Sequence, residues 1–403
     1  MLFRSDSIFL NINHFHILNE RFGKQFGDEV LKQTAEKLRE AVSDSGGIVG
    51  RAEADTFLIY CPHRTDYEGI LSMVSEGQKK DCLIRFRMGV YSQTDRGIPA
   101  ERRFDRAKQA ADTVKGVFAG AVGFYDESMH KNAIIAEQLM EDFHTAIREK
   151  QFIVYYQPKF DIRPEIPVLS GAEALVRWIH PELGFISPGV FIPVLEENGL
   201  IRELDEYVWK EAAAQIKVWK RTLGQTIPVS VNVSRIDLYD AQLPDILSQT
   251  AEESGLEHGE LRLEITESVY TEDSRQITET INTLRNRGFH IEMDDFGTGY
   301  SSLNMITTLP LDILKLDMQF IRTAFHEHMD TRLLKATIWL AQSLGLPTIA
   351  EGVETSEQMF ALRVLGCDYV QGYYFSKPLP ADKFEEFVRN QAPTVKKEGD
   401  TVC

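Results

Sequence analysis

Five carboxylates and one amide lie at the ends of short apolar segments in the second half of the chain. Their side chains offer only oxygen ligands, which suit Mg²⁺ or Mn²⁺ better than zinc or copper. Two such ions could make a nucleophile from water and hold a phosphate group. The pattern therefore predicts a phosphate-hydrolysing metal site formed by Glu173, Asn232, Glu264, Asp294, Asp295 and Glu351.

Each of these acids, taken singly, is more typical of a surface or salt-bridged residue. Their common position favours the metal site, because acids gathered in one place repel one another unless cations compensate them. Lys315 follows the same pattern. A lone lysine is usually solvated, but on an inward face among carboxylates it could hold the nucleophilic water or steady a phosphate.

The segments that carry these residues alternate between apolar and polar side chains. In 229–234 the valines alternate with Ser230, Asn232 and Ser234. In 261–266 apolar residues alternate with Arg262, Glu264 and Thr266. Strands have a side-chain period of two, so the polar residues share one face. Their clustering toward the C-terminal ends of the strands matches the place where barrel active sites lie.

Eight β-rich segments separated by helical patterns predict a (β/α)8 barrel over 151–391. A doubly wound open sheet is the alternative, and no glycine fingerprint supports it. The predicted helices cover 204–221, 245–254, 273–286, 330–344 and 357–365. The predicted strands are Phe152–Gln157, Ser170–Arg177, Pro228–Ser234, Leu261–Thr266, His290–Asp294, Ile313–Asp317, Thr348–Glu351 and Tyr369–Gly372.

Residues 1–128 predict a small α/β domain, and 129–150 a linking helix. The predicted order is strand 8–12, helix 27–42, a turn at Gly47–Gly50, strands 57–61 and 84–91, helix 101–115 and strand 122–125. The polar residues 392–403 predict a disordered tail.

Composition narrows the class of protein. The formal net charge of −17 argues against binding a nucleic acid polymer, which requires basic patches. Four cysteines without ligand spacing favour a reduced, cytoplasmic compartment. No apolar run reaches membrane-spanning length, so a membrane anchor or sensor would lie outside this chain.

The segment Gly171-Ala-Glu-Ala-Leu-Val-Arg-Trp178 resembles the signature of the EAL-domain family, the cyclic di-GMP phosphodiesterases. The resemblance covers about residues 134–391. The matching motifs, in family order, are Tyr156-Gln-Pro158, Asn232-Val-Ser234, Leu263-Glu-Ile-Thr-Glu-Ser268, Asp294-Asp-Phe-Gly-Thr-Gly299, Lys315-Leu-Asp317, Glu351-Gly-Val-Glu354 and Gln371-Gly-Tyr-Tyr-Phe375.

The resemblance implies a role for each matching residue. Glu173, Asn232, Glu264 and Asp294 would bind one metal ion. Asp294 would bridge to a second, also held by Asp295 and Glu351. Glu351 could instead be chiefly a general base.

The remaining matches imply contacts with water, loop and substrate. Lys315 would position the hydrolytic water, and Glu267 would steady the loop 294–302. The residues expected to contact substrate are Arg177, Asp317, Glu354 and Gln371. The implied reaction is hydrolysis of cyclic di-GMP to linear pGpG by water activated by two metal ions.

The upstream segment resembles a GGDEF domain, the diguanylate cyclase fold, in a degenerate form. Asn11 stands where the family has a metal-binding aspartate, and 53–57 replaces the signature without its glycines. We therefore expect no cyclase activity. Asn19 and Asp28 match the family's guanine-recognising pair, so the domain could bind GTP weakly and regulate the barrel. The alternative is a surface amide and a helix-capping carboxylate.

Three functions remain in competition. The first is an active phosphodiesterase. Because EAL domains commonly dimerise, the resemblance also implies a homodimer. The second is a slow cyclic di-GMP receptor acting through protein interaction, and the third is a protein-interaction scaffold. Metal-dependent turnover distinguishes the first from the others, and ligand binding distinguishes the second from the third.

Overall fold

The structure, a computed structural model, describes residues 4–75, 84–94, 97–114, 121–267, 275–297, 303–325 and 331–391. The predicted tail and residues 298–302 of the predicted loop lie outside these ranges. The chain divides into two compact units, 1–138 and 139–403. The division falls inside the helix predicted as a linker, whereas the predicted boundaries at 128 and 150 stay predictions.

The first unit is a five-stranded sheet with helices on both faces. Its strands are β1 (Ser5–Ile12), β2 (Ile48–Arg51), β3 (Thr56–Pro62), β4 (Phe86–Tyr91) and β5 (Ala121–Phe124). The sheet order is β2-β3-β1-β4-β5. The helices of this unit are α1 (Phe15–Phe22), α2 (Lys24–Ser43), α3 (Tyr67–Ser75) and α4 (Ala100–Asp112). The helix α5 (Glu127–Arg148) contains the division and belongs to both units.

Alternation along β1 explains the two helical layers of this unit. Ile8, Leu10 and Ile12 are buried in the cluster that contains the apolar residues of α2 and α3. Phe9 faces the other way and packs on Ala107 and Ala111 of α4. A strand covered on both faces has this continuous apolar run, which is why the sequence indicated it.

The turn predicted at Gly47–Gly50 is wrong, because Ile48–Arg51 forms β2. The reversal comes earlier, at Gly46, whose φ is 70°. Gly50 suggested a turn, but it lies within β2, and a strand at the edge of a sheet tolerates a glycine. The helix-cap alternative for Asp28 is also wrong, because α2 begins at Lys24 and Asp28 lies inside it.

The second unit contains ten strands and the helices that cover them. Its strands are β6 (Phe152–Asp161), β7 (Val168–His180), β8 (Gly184–Ile186), β9 (Val229–Asn232), β10 (Leu261–Thr266), β11 (Ile291–Phe296), β12 (Ile313–Leu316), β13 (Thr348–Ala350), β14 (Tyr369–Gln371) and β15 (Leu379–Pro380). All eight predicted strands are present.

The helices of this unit follow the predicted alternation. The five predicted helices are present, with residues 273, 274 and 330 outside the described ranges. Within the described residues of this unit, the helices are α6 (Pro188–Glu197), α7 (Ile201–Thr222), α8 (Arg235–Leu238), α9 (Leu243–Ser254), α10 (Arg275–Asn286), α11 (Leu303–Thr308), α12 (Met318–Ala324), α13 (Arg332–Ser343), α14 (Ser356–Leu365) and α15 (Ala381–Gln391). Within the described ranges, none of the helices has the length and apolar character needed to cross a bilayer.

Eight of these strands close into a barrel, as predicted. The order is β6-β14-β13-β12-β11-β10-β9-β7, and β6 pairs with β7 to close the ring. The strand β6 runs antiparallel to both of its neighbours, whereas the others run parallel. The short 162–167 connection to β7 explains this difference, because a parallel pair requires a long crossover.

The predicted alternation places apolar and polar side chains on opposite faces of the barrel strands. Val229, Val231, Leu261 and Leu263 are buried and lie on the face that the surrounding helices cover. The opposite positions carry Ser230, Glu264, Glu292 and Lys315, which are also buried. The interior of this barrel is therefore polar and contains several formal charges.

Gly372 allows close approach of two backbone segments directly after β14. A Cβ atom at this position would lie 2.1 Å from the carbonyl oxygen of Val353 and 2.3 Å from its nitrogen. We predict that Gly372→Ala lowers the free energy of unfolding of the barrel by about 1–3 kcal/mol, because backbone atoms would have to move. Trp fluorescence during urea unfolding measures this, since all four tryptophans lie in this unit.

The control is Gly189→Ala in α6, where the nearest atom to an added Cβ lies 3.9 Å away. Alanine in a helix is favourable, so this variant should be as stable as the parent chain or more stable. Equal stability of the two variants would contradict the close approach at Gly372.

Candidate metal and active site

Three carboxylates meet at the C-terminal rim of the barrel. Glu173 of β7, Glu264 of β10 and Asp294 of β11 each offer one oxygen, and these oxygens all lie within 4.8 Å of one another. Asn232 ends β9 and is the register partner of Glu264. Among the described residues, this donor set consists of oxygens only and fits Mg²⁺ or Mn²⁺.

Lys315 of β12 is the cation that holds these acids together. Its Nζ lies 2.6 Å from Glu351, 2.9 Å from Asp294, 3.2 Å from Glu264 and 3.7 Å from Glu173. The side chain is fully buried. Burial alone would lower the pKa of Lys315, but the surrounding carboxylates, Asp294 first, raise it well above its ordinary value.

A β-bulge presents two consecutive aspartates at this rim. The register between β11 and β12 shifts between Met293 and Phe296. Asp295 has a φ of 58°, and its N–H donates to Oδ1 of Asp294 at 2.9 Å. In a regular strand the two side chains would point to opposite faces, so the bulge re-aims one of them.

The site perturbs its carboxyl groups in different directions. Burial, and then repulsion from Glu264, raises the pKa of Glu173 to about 7. Burial would also raise the pKa of Glu264, but Lys159 and Lys315 outweigh it and lower that pKa. Asp295 is in contact with solvent, but partial burial of its carboxyl group, and then repulsion from Asp294, raises its pKa to about 6. Opposed shifts within one cluster are typical of functional sites.

Glu351 and Gln371 complete the rim from β13 and β14. Glu351 directly follows β13, and burial raises its pKa well above the ordinary value, against the opposing effect of Lys315. Gln371 is buried, and its Nε2 donates to Glu173 at 2.5 Å and to Gln157 at 3.1 Å. Gln371 therefore orients Glu173.

The remaining predicted substrate residues surround this cluster. Arg177 lies at the end of β7, with its guanidinium 5.8 Å from the ring centre of Tyr155. Asp317 caps α12 by accepting from the N–H of Gln319 at 2.6 Å. Glu354 is exposed and accepts from Arg322 at 2.7 Å. Glu267 directly follows β10, whereas most of the loop that it was predicted to steady lies outside the described residues.

Lys159 and Glu292 were not predicted as site residues. Lys159 is fully buried in β6, directly after the Tyr156-Gln-Pro158 motif. Glu292 lies in β11, two residues before Asp294, and is the register partner of Glu264. A lysine inside an otherwise apolar strand segment was the available signal.

A buried acid, Asp205 of α7, was also missed. Together with Arg177 and Asn232 it lines a cavity of about 90 Å³. Burial, and then the nearby Asp237 carboxylate, raises its pKa well above the ordinary value. In sequence Asp205 lies on the apolar stripe of α7, next to Leu204 and one turn before Trp209, and this position was the available signal of its burial.

In the first unit, residues 53–57 lie at the hairpin between β2 and β3. Arg51 donates to the carbonyl oxygen of Ala54 at 2.8 Å, and Ala54 has a φ of 35°. Asn11 donates its amide to Thr56 at 3.2 Å. These contacts connect Arg51 and Asn11 to the segment that was predicted to replace the family signature.

The two residues predicted to recognise guanine, Asn19 and Asp28, differ in exposure: Asn19 is partly buried and Asp28 is exposed. Asn19 rests against Gly27, where a Cβ would lie 1.9 Å from its Oδ1. Asp28 is exposed on α2. The glycine therefore leaves room for this position of the Asn19 amide.

Comparison with known proteins gives a family for each region. The EAL domain model matches residues 140–378, and the model "Diguanylate cyclase, GGDEF domain" matches residues 5–115. The chain belongs to the EAL domain family. The resemblance inferred from the sequence is thereby confirmed.

Two curated relatives come from Pseudomonas aeruginosa. One is the cyclic di-GMP phosphodiesterase NbdA, 33% identical over 95% of this chain and 50% of the relative. The other is the bifunctional diguanylate cyclase/cyclic di-GMP phosphodiesterase MucR, 31% identical over 93% of this chain and 56% of the relative. This EAL-family chain spans about half the length of the curated relatives it matches.

A solved structure, the PaMucR phosphodiesterase in complex with c-di-GMP, is also similar. It is 36% identical, with a TM-score of 0.57, and the match covers 61% of this chain and 99% of that one. The covered share corresponds to an EAL domain without the first unit.

Asp205 predicts a pH-dependent stability. Its unfolded pKa is near 3.8, and its folded pKa is raised. The protonated side chain therefore stabilises the folded state fully at a pH below the unfolded pKa. This contribution is lost as the pH rises through the folded pKa. We predict that Asp205→Asn raises the melting temperature at pH 8 more than at pH 4, since asparagine avoids the buried charge.

Thermal melts of both proteins across this range measure the effect. Asp382→Asn, at an exposed position in α15, is the control and should show no such trend. A difference between Asp205→Asn and the parent chain that is constant with pH would contradict the assignment.

Proposed function

We propose that this chain hydrolyses cyclic di-GMP to linear pGpG at the barrel rim. The observation that carries the proposal is the meeting of Glu173, Glu264 and Asp294 within 4.8 Å. The names of the relatives NbdA and MucR support the choice of substrate. The c-di-GMP complex of the PaMucR phosphodiesterase supports it further.

Divalent cations, Mg²⁺ or Mn²⁺, would lower the pKa of water and offset phosphate charge in this site. Glu173, Asn232, Glu264 and Asp294 would hold one ion, and Asp294, Asp295 and Glu351 a second. Oxygen-only donors and the buried Oε2 of Glu264, which has no hydrogen-bond partner within the described residues, support this assignment.

The protein's own groups would orient the reacting atoms. Lys315 carries a buried ammonium whose partners are the rim carboxylates, so it is placed to hold a water or a phosphate oxygen beside them. Glu351 could accept a proton from that water, because its carboxylate lies beside the Lys315 ammonium, at 2.6 Å. Arg177, Asp317, Glu354 and Gln371 would bind the dinucleotide around this cluster, and Glu267 would support the neighbouring loop.

We predict that the purified chain converts cyclic di-GMP to pGpG with Mg²⁺ or Mn²⁺ and that EDTA abolishes the reaction. Glu173→Ala should lower the rate at least about a hundred-fold, since a metal ligand is lost. Chromatography of the nucleotides measures both. Glu252→Ala removes an exposed acid of α9 and should leave the rate unchanged.

Cyclic di-GMP that binds without turnover would contradict hydrolysis and would indicate a receptor. Turnover that survives EDTA would contradict the metal-dependent mechanism. Equal loss of activity in both variants would show that Glu173 is not specifically required.

For the first unit we propose a regulatory role without cyclase activity. The amide of Asn11 supports the loss of catalysis, because it lacks the negative charge with which an aspartate binds a metal ion. The homodimer, the cytoplasmic location and a sensor outside this chain also stay proposals. The exposed Phe360 and Val364, one turn apart on α14, would suit contact with a second copy.

We predict that GTP binds this unit weakly and changes the rate of cyclic di-GMP hydrolysis. Asn19→Ala should weaken GTP binding by about ten-fold, the cost of lost hydrogen bonds. Isothermal titration and the hydrolysis assay measure the two effects. Glu20→Ala, at the exposed neighbouring position, is the control. No heat and no change in rate would contradict the regulatory role.

A further inference from the structure

A row of alternating charges lies inside the barrel beneath the metal site. Arg262 lies 3.5 Å from Glu292, Glu292 lies 2.5 Å from Lys159, and Lys159 lies 2.7 Å from Glu264. Lys315 then lies 3.2 Å from the same Glu264. Opposite charges at these distances fix one another in place when they are shielded from water.

Lys159 occupies the centre of this row and is fully buried. Its ammonium donates to Oε1 of Glu264 at 2.7 Å, to Oε2 of Glu292 at 2.5 Å and to the hydroxyl of Ser230 at 2.7 Å. An ammonium has three donors, so these contacts satisfy all of them. The side chain therefore has one well-defined position.

The two oxygens of Glu264 have different surroundings. Oε1 is shared by the two lysines, with Nζ distances of 2.7 Å and 3.2 Å. Oε2 is buried and has no hydrogen-bond partner in the described part of the chain. Both lysine ammonium groups thus fix the carboxylate of Glu264, which is one of the three carboxylates that meet at the rim.

We propose that Lys159 is a positioning residue of the metal site, which fixes the carboxylate of Glu264 so that it can bind the cation. This inference rests on the proposed metal-dependent function. Glu264 and Glu292 are register partners on neighbouring strands, so without the Lys159 ammonium the two carboxylates would lie side by side with no cation between them. Oε1 of Glu264 would then keep only its longer contact with Lys315, at 3.2 Å.

The alternative is that Lys159 serves only as a counter-ion that allows Glu292 to be buried. The two roles differ in what happens when both partners are removed. Replacing a buried ion pair by apolar groups of similar size is often close to neutral for stability, whereas removing one partner is costly. A double variant therefore isolates the contact with Glu264.

The experiment is a titration of the full chain with Mn²⁺ in the absence of nucleotide. The EPR signal of the free ion measures how much Mn²⁺ is bound. Lys159→Met should weaken Mn²⁺ binding by about ten- to a hundred-fold, as loss of a residue that orients a metal ligand does. Its melting temperature in EDTA should also fall. Lys159→Met/Glu292→Met should regain the melting temperature but still bind Mn²⁺ about ten-fold more weakly or worse.

The matched control is Lys220→Met, which breaks an ion pair that lies away from the site. In this pair, Nζ of Lys220 lies 2.7 Å from Oε1 of Glu260. Its Mn²⁺ affinity should equal that of the parent chain. Parent-like Mn²⁺ affinity in the double variant would overturn the proposal and leave Lys159 as a counter-ion. Absence of Mn²⁺ binding by the parent chain would overturn it as well.

The outcome is separable from that of the proposed function. If the parent chain binds Mn²⁺ but does not hydrolyse cyclic di-GMP, the proposed activity fails while the role of Lys159 is still decided by the variants. If Lys159→Met fails to fold, the double variant supplies the answer.

Discussion

The ion pairing of two buried lysines with the barrel carboxylates is the constraint on which the second unit depends. A parallel barrel normally fills its interior with branched apolar side chains, but this one gathers several acids there. An unpaired buried charge costs several kcal/mol. Lys159 and Lys315 each contact more than one acid, so a few cations allow a larger set of carboxylates to remain close together.

Under the proposed function, this arrangement would also prepare the rim for metal ions. Lys315 attracts the oxygens of Asp294 and Glu351 that a divalent cation would bind, so the acids stay gathered instead of spreading into solvent. The cost is competition, because a bound cation and the ammonium interact with the same oxygens. The bulge at Asp294 and Asp295 adds strained backbone to this preparation, which neighbouring strands must stabilise.

The sequence predicted the barrel and most of the rim because both depend on local patterns. Alternation along 229–234 and 261–266 indicated strands with one polar face, and the spacing of the motifs placed Glu173, Glu264 and Asp294 at strand ends. The short connection between β6 and β7 indicated that β6 is antiparallel to β7. This was missed because the regular alternation of strands and helices in the rest of the segment predicted an all-parallel barrel.

What the sequence could not show are contacts between residues that are distant along the chain. Lys159 and Glu292 are 133 residues apart, and nothing in either segment reveals that they meet. The burial of Asp205 likewise depends on how α7 packs on the barrel. In the first unit, two glycines suggested a turn where pairing with β3 makes a strand, since tertiary pairing overrides local preference.

The antiparallel course of β6 determines where the chain enters the barrel. Phe152, the first residue of β6, is level with Trp178 near the end of β7, so α5 delivers the chain at the edge that carries the acids. In a regular barrel the preceding helix would enter at the opposite edge. The chain therefore enters the barrel beside the strand end that carries Arg177, within reach of the edge where the acids lie.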